Sequence, residues 1–576
     1  MPKRDSAGRH VLGAAWQHVP AAGWIGRYQH SMLRGDLTAA LVVTALMIPQ
    51  ALGYAALAGA PVQAGLYALP LALIVYALMG SSPQLVVGPV STVSVLTGSI
   101  VAGRGVSDPA EAVAVAAALA MIAGLVLFIA GALRVGWVAE FLSKPITTGF
   151  VFGLAIVIVI TEVPTLLGLG RATGSTLQKL DAVAAHLGDI DPTTAAIGLT
   201  SLVVLFAGSR LRPHVPWGLV LVVAGLVVSR ASGLEDHGVA VVGRVPRGLP
   251  GLSLPDLTFG EIGNLVASGA AVALVGLTET LSAARLFGAR HGDQVDANQE
   301  LFASGMANVA AGLSGGIGVA GSLSKTAAAD EAGGRSQVTG LVGAGLALLI
   351  LVFFASSLSV LPRVVLSGVV IHAVWGLMDV RSLAKYRRIR RNDFVGSLVA
   401  LFGVVLFGPL VGLLVAVAQS VLGLIYRSGQ VEVDVLGKVK GEKAAWGSTE
   451  SHPGLHTVGG ILVLRLNTPL FWVNAASSAS LILKAVAEAP DSRTVVIDLE
   501  ATHQLDTTSA DTLRELIEVL RGRGIDVYLV RVSRLARRVL GSADVIDELG
   551  LDHMWRTISQ GVRAAKRAAK ENDSPS

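Results

Sequence analysis

Two stretches, Gly80-Ser-Ser-Pro-Gln-Leu-Val-Val-Gly-Pro89 and Gly315-Gly-Ile-Gly-Val-Ala-Gly321, each lead into an apolar segment too short to cross a bilayer. The first segment begins at Val90-Ser91-Thr92 and covers residues 90–102. The second begins at Ser322-Leu323-Ser324-Lys325-Thr326 and covers residues 322–332. A spanning helix needs about 20 apolar residues, so both read as half-helices behind extended, glycine-rich chain. Irregular backbone survives at membrane depth only where protein or a water-filled cavity satisfies its amides. Interrupted segments at matching positions of two halves point to an inverted-repeat transporter. If both half-helices start at the midplane, their free N–H groups face each other across a cavity. Each start carries roughly half a positive charge, and Lys325 adds another within the first turn. Such a site selects anions. The alternative, ordinary loops with re-entrant packing, suits one such segment better than a matched pair.

The composition agrees. Of 576 residues, 52% are hydrophobic and 15% charged, whereas ordinary soluble domains carry about 25% charged residues. The chain lacks the polar surface a water-soluble protein needs and reads as an α-helical polytopic membrane protein. The sequence has no cysteine, which excludes disulfides, zinc–thiolate sites, iron–sulfur clusters and cysteine nucleophiles. No catalytic constellation is visible, so neither an enzyme nor a cofactor is expected. The net charge of +5 reads as loops meeting anionic membrane lipid. Nucleic acid is not expected as a partner, because no aromatic-studded basic groove accompanies the charge.

Residues 1–34 are not a signal peptide, since Arg9, His10, Gln17, His18 and Pro20 interrupt any apolar run. They read as a cytoplasmic segment, with 10–34 either interfacial, through Trp16, Trp24 and Tyr28, or a floppy tail. Residues 35–427 form the transmembrane region. Leu37 to Leu57 is the first span. Further spans are expected near 65–80, 112–133, 146–163, 193–209, 216–230, 264–284, 300–314, 338–355, 364–378, 394–408 and 409–426. With the two half-helices the total is about fourteen. Arg134, Lys144, Arg210, Arg212, Arg285 and Arg290 fall on alternate loops, with a dense run of Arg381, Lys385, Arg387, Arg388, Arg390 and Arg391. By the positive-inside rule, both termini are cytoplasmic, in the cell (plasma) membrane.

After Arg427 the chain turns polar, and 428–457 reads as a linker. From 458 to 562 strands at Ile461–Leu466, Thr494–Leu499 and Asp526–Val532 alternate with helices at 474–489 and 507–522. This is a small α/β domain with its sheet covered by helices. Residues 563–576 read as a disordered basic tail. Asp506-Thr507-Thr508-Ser509 precedes a helix expected to start near Ala510, so a hydroxyl there can cap the helix or accept a phosphate.

Several motifs carry a resemblance. Gly35-Asp-Leu-Thr-Ala-Ala, Ile48-Pro-Gln-Ala-Leu-Gly-Tyr-Ala-Ala-Leu-Ala-Gly-Ala-Pro61 and Gly65-Leu-Tyr67 resemble the first-span signature of the sulfate permease (SulP, also SLC26) family of anion transporters. Val87-Gly-Pro89, Asn298-Gln-Glu-Leu301 with Gly305 and Asn308, and Gly321-Ser-Leu-Ser-Lys-Thr-Ala327 fit as well. Val496-Ile-Asp-Leu and Leu505-Asp-Thr-Thr508 are similar to that family's STAS domain. The resemblance implies a seven-plus-seven inverted repeat with core and gate subdomains, an elevator-type movement and a homodimer. It implies that backbone amides near Val90, Ser91, Ser322 and Leu323 bind the substrate, with the Ser322 hydroxyl, Gln50 and Tyr54, and with Gly321 and Lys325 in the same site. Stand-alone STAS relatives are phosphorylated in the loop matching 506–509, but the usual glycine after the hydroxyl pair is Ser509 here.

Glu279 lies in an otherwise uncharged span, Ala271 to Ala284. An intramembrane carboxylate costs roughly 2.5–3.5 kcal/mol on insertion scales and signals function by default. Ionised, it repels an incoming anion; protonated, it does not. That is a physical basis for proton–anion symport, and the resemblance implies a coupling acid at this position. Sodium-coupled members carry hydroxyls where Ala283 and Leu323 stand here, which favours protons. An ion pair between Glu279 and Lys325 is the structural alternative. The expected function is therefore proton-coupled sulfate transport. Bicarbonate or a C4-dicarboxylate as substrate, an uncoupled uniporter or channel, and a membrane-anchored signalling receptor remain open.

Overall fold

The computed structural model describes residues 24–572, apart from Arg27, Ser107, 137–142, 170–174, His214, Arg244, 246–247, Lys440 and 443–444. The expected N-terminal segment therefore lies largely outside the described residues. The chain divides into two compact units, Met1–Ser420 and Val421–Ser576.

The first half of the apolar unit contains α1 (His30–Leu57), α2 (Gln63–Tyr67), α3 (Leu69–Met79), β1 (Val87–Pro89) and α4 (Ser91–Gly103). It continues through α5 (Pro109–Ala132), α6 (Lys144–Leu166), α7 (Thr176–Ala185), α8 (Pro192–Leu211) and α9 (Trp217–Ser232). The second half repeats the order of long helices, short strand and half-helix. It contains α10 (Phe259–His291), α11 (Ala297–Leu313), β2 (Val319–Gly321), α12 (Leu323–Glu331) and α13 (Val338–Leu349). Then come α14 (Arg363–Trp375), α15 (Val380–Ile389), α16 (Arg391–Phe407) and α17 (Pro409–Gly429). Eight helices among the described residues are long and apolar enough to span a bilayer individually. At 1.5 Å per residue, α4 and α12 reach only about 20 and 14 Å, less than the roughly 30 Å hydrocarbon thickness.

Local chemistry sets the helix starts. Asp108 and Asp191 cap α5 and α8, each followed by proline at the first helical position. Thr258 and Glu261 close a capping box on α10, and Gly292, at φ +75°, ends it. The expected span 264–284 is thus extended at both ends by residues whose charge argued against membrane depth. Likewise α1 starts seven residues before the expected Leu37. Its fully buried Asp36 accepts from the Arg335 and Ser336 amides at 2.7 and 3.1 Å, which makes the charge tolerable. Small residues let helices meet closely. A Cβ on Gly124 of α5 would lie 2.6 Å from the Gly305 carbonyl oxygen of α11, and one on Gly149 of α6 would strike the backbone of Ser397 on α16. Helices α1, α3, α5, α10, α11, α12 and α13 pack as one group, and α6, α8, α9, α14 and α16 as another.

The C-terminal unit is a six-stranded sheet. Its strands are β3 (Val433–Lys438), β4 (Trp446–Ser448), β5 (Ile461–Leu466), β6 (Thr494–Asp498), β7 (Asp526–Val530) and β8 (Met554–Trp555), in the order β4-β3-β5-β6-β7-β8. The run β5 to β8 is parallel, and β3 lies antiparallel on β5. Side chains alternate between faces. Leu462, Leu464, Val495 and Ile497 bury against α18 (Ala475–Ala487) and α19 (Thr507–Gly522), together with α20 (Arg534–Ser542) and α21 (Val545–Leu549). Ile461, Val463 and Val496 bury instead against α22 (Ile558–Asn572). Two expectations need correction. The linker 428–457 contains β3 and β4, because Val433 and Val435 add an edge to β5 in spite of the polar residues between them. Residues 563–572 of the expected disordered tail are helical, since α22 buries Val562 and Ala565 on the sheet.

Candidate anion site between the half-helices

The two short strands pair antiparallel, with Val87 opposite Gly321, Gly88 opposite Ala320 and Pro89 opposite Val319. All six residues are buried. In this ribbon each chain passes the other before turning into its half-helix, so α4 and α12 begin at opposite ends of it. At about 3.4 Å per residue, Val90 and Ser322 lie roughly 14 Å apart at most. Each half-helix thus presents its positive N-terminal end to the ribbon, one at either end of it.

The ribbon is fastened by side chains that the sequence reading left unassigned. Asn308 accepts from the Val319 amide at 2.9 Å and donates to its carbonyl at 2.7 Å. The Thr280 hydroxyl accepts from the Gly321 amide at 2.9 Å, and the Thr326 hydroxyl from the Val86 amide at 3.0 Å. The Ser322 amide donates to the Val86 carbonyl at 3.0 Å. A short strand pair in a membrane has no room for unpaired backbone, and these contacts satisfy its amides. Gly321 has no space for a side chain, as a Cβ would come within 2.9 Å of Leu85 and 3.0 Å of the Thr280 backbone.

The residues singled out from sequence converge here. Val90 caps α4 through extended backbone, with no side-chain bond, which leaves the first amides of α4, including that of Ser91, available. Ser322 caps α12, its hydroxyl accepting weakly from the Lys325 amide at 3.4 Å. Leu323 is 51% exposed although it stands at the start of a half-helix, and Ser324 is also exposed. The first turn of α12 thus borders open space. Gln50 is partly exposed beside the buried Pro49 in α1. Tyr54, one turn on, is buried, with its hydroxyl toward Ser91 and its ring 5.7 Å from the Lys325 ammonium. Lys325 is almost wholly buried, and its ammonium donates to the Pro89 carbonyl at the end of β1. The Lys325 side-chain nitrogen therefore sits against the ribbon.

Glu279 on α10 accepts from the Thr92 hydroxyl in the first turn of α4 at 2.6 Å. Thr92 is fully buried. The alternative, a Glu279–Lys325 ion pair, is not closed at salt-bridge distance, although the two groups lie near enough for their charges to interact. Glu279 also borders a cavity of about 20 Å³ lined by Ile146, Phe150, Val275 and Leu413, roughly room for one water. A larger cavity of about 590 Å³, lined by Gly53, Gln63, Glu162, Arg363 and Val370 among others, includes none of the half-helix starts.

In the C-terminal unit, α19 starts at Thr507, as expected from the 507–522 pattern and ahead of the start near Ala510 that the capping argument assumed. Its cap is Asp506, whose carboxylate accepts from the Ser509 amide at 2.8 Å and from the Trp472 amide at 2.7 Å. A carboxylate therefore caps the helix where a hydroxyl was expected. Thr507 and Thr508 are exposed and Ser509 is buried. Burial opposes the charge on Asp506, but the bonds from the Ser509 and Trp472 amides outweigh it and hold the carboxyl below its usual range.

Comparison with known proteins supplies the family. The sulfate permease family matches residues 33–400, and the STAS domain matches 452–564. A probable sulfate transporter of Mycobacterium tuberculosis is 33% identical over 558 residues, covering 97% of this chain and 99% of that protein. A low-affinity sulfate transporter of Stylosanthes hamata is 30% identical over 582 residues, covering 95% and 89%. Among solved structures, the murine solute carrier 26 family member A9 anion transporter in its inward-facing state aligns with TM-score 0.88 at 22% identity. That alignment covers 98% of this chain and 96% of the other. The transmembrane domain of a cyanobacterial bicarbonate transporter aligns with TM-score 0.61 at 24% identity, over 68% of this chain and 98% of the other.

Proposed function

The chain belongs to the sulfate permease family, and on that premise we propose that it is a secondary transporter carrying sulfate across the membrane together with protons. It is an integral membrane transporter with a C-terminal STAS domain, not an enzyme. The observation that supports the proposal is the β1–β2 ribbon, which has a half-helix start at either end and Lys325 against it. In this reading the amides at Val90, Ser91 and Leu323 hold the anion, whereas the Ser322 amide is taken by the Val86 carbonyl and Ser322 offers only its hydroxyl. The Ser322 hydroxyl, Gln50 and Tyr54 set its orientation, and Gly321 keeps the approach open. Two helix ends and one ammonium come close to balancing a dianion. The curated relatives named above are described as sulfate transporters, which favours sulfate over bicarbonate or a dicarboxylate.

Glu279 supplies the coupling. Its carboxyl holds Thr92, one residue beyond Ser91, so a change of charge on Glu279 is felt at the start of α4. Protonation removes a negative charge from the neighbourhood of the incoming dianion; release of the proton restores it and drives the anion out. The group of helices bearing the ribbon moves against the other group in an elevator-type stroke. The protein works as a homodimer in the plasma membrane with both termini cytoplasmic, and the STAS domain acts in dimerisation and regulation.

The test is uptake of labelled sulfate, bicarbonate and succinate into proteoliposomes, with and without an inward proton gradient. Sulfate should accumulate best and the gradient should accelerate it. Equal uptake with and without the gradient overturns proton coupling, and faster bicarbonate or succinate uptake overturns the substrate. Ligand binding without uptake would support a receptor instead.

A further inference from the structure

The densest positive charge in the membrane unit has no role in the transport cycle described above. It lies on α15, which joins α14 to α16 and packs against α16 and α6. Asp379 caps it, accepting from the Ser382 amide at 2.9 Å. Arg381, Lys385 and Arg388 stand at i, i+4 and i+7 and so share one face of the helix. Leu383 and Tyr386 fall on the opposite face and are half-buried. Arg387, Arg390 and Arg391 widen the charged region, and all six cations are exposed. Arg381 lies beside Asp379. The other five enter no ion pair among the described residues.

Around these cations stand apolar residues that water does not favour. Trp375, Val380 and Ile389 are 55%, 63% and 65% exposed. A helix placed between two apolar passes, with cations on one face and exposed Trp and Ile at its ends, has the make-up of an interfacial element. We propose that α15 is a docking surface for anionic phospholipid headgroups. The membrane alongside offers the complementary charge, and each cation near such a surface contributes on the order of fivefold in binding. Tyr386 bonds the Thr148 hydroxyl of α6 at 3.1 Å, so headgroups held on α15 also steady the first turn of α6.

The test titrates the purified full chain with short-chain phosphatidylglycerol, short-chain phosphatidylcholine and inorganic phosphate. The expected result is at least tenfold preference for phosphatidylglycerol over phosphatidylcholine, fading at high salt, without competition from millimolar phosphate. A Lys385→Gln/Arg388→Gln variant should lose roughly 25-fold in phosphatidylglycerol affinity, and Lys385→Arg should retain it. Equal affinity for the two lipids overturns the proposal, as does an unchanged double variant. Competition by phosphate would make α15 a free-anion site and also overturn it. The salt-sensitive preference of the unaltered protein decides the matter even if the double variant folds poorly. Since no group of the proposed transport site is altered, failure here leaves the sulfate reading standing.

Discussion

At the scale of single residues, two hydrogen bonds matter most. Thr92 holds Glu279, and a Glu279→Gln variant should transport sulfate at a rate indifferent to an inward proton gradient. Uptake that keeps its full gradient dependence would remove Glu279 from the coupling role. Replacing Thr92 by Val leaves the buried carboxyl without its hydroxyl partner, at a cost of roughly 1–3 kcal/mol, visible as a lower thermal midpoint of the purified protein. The second bond is the Asp506 cap. Asp506→Ala should destabilise the C-terminal unit by about 1 kcal/mol in urea unfolding. His553 adds a pH dependence to the same unit. Its ring lies 3.0 Å from Asp526 and 3.1 Å from Asp552 and stacks on Tyr528. The bond His553 donates to Asp526, against partial burial, raises the His553 pKa. For Asp526, burial works against ionisation, but the bond and charge of His553 win and lower its pKa. The histidine's contribution to stability is complete below about pH 6.5 and fades as pH rises through its raised folded-state value. The aspartate's is present above about pH 3.9 and fades as pH falls through its lowered value. The difference in stability between the wild type and His553→Gln should therefore be largest between those limits and shrink toward alkaline pH.

Among elements, the ribbon of β1 and β2 is the feature on which the site depends. Gly321→Val should abolish sulfate uptake, because the added side chain meets Leu85 and the backbone of Thr280. Uptake within tenfold of wild type, with the protein monodisperse after purification, would mean the ribbon tolerates displacement and does not set the site. Both half-helices were legible in the sequence, since glycine, proline and serine punctuate apolar runs too short to span. Their pairing was not. Three residues meeting three others across the length of the membrane unit leave no local periodicity, and Asn308, Thr280 and Thr326, which fasten them, look like ordinary helix hydroxyls and amides. The same long-range pairing hid β3, which gains its strand character only from β5. Helix ends were misjudged where charge was buried with partners, as at Asp36, or where a cap extended the helix beyond the apolar run, as at Thr258 and Glu261.

The whole molecule joins an apolar unit of repeated halves to an α/β unit with its own two-faced core. Its family could be read from scattered motifs because those motifs are the ribbon, its fastenings and the first helix that crosses it. The central claim is that an anion rests between the two helix starts. The most direct measurement is equilibrium binding of labelled sulfate to the purified protein, comparing wild type with Ser322→Glu. A carboxylate at the start of α12 would occupy the positive end meant for the anion, and repulsion at such a distance in a partly buried site is worth on the order of 100-fold or more in affinity. The account requires sulfate to bind the wild type and to fail with the variant. Unchanged sulfate affinity in a folded Ser322→Glu protein would contradict it.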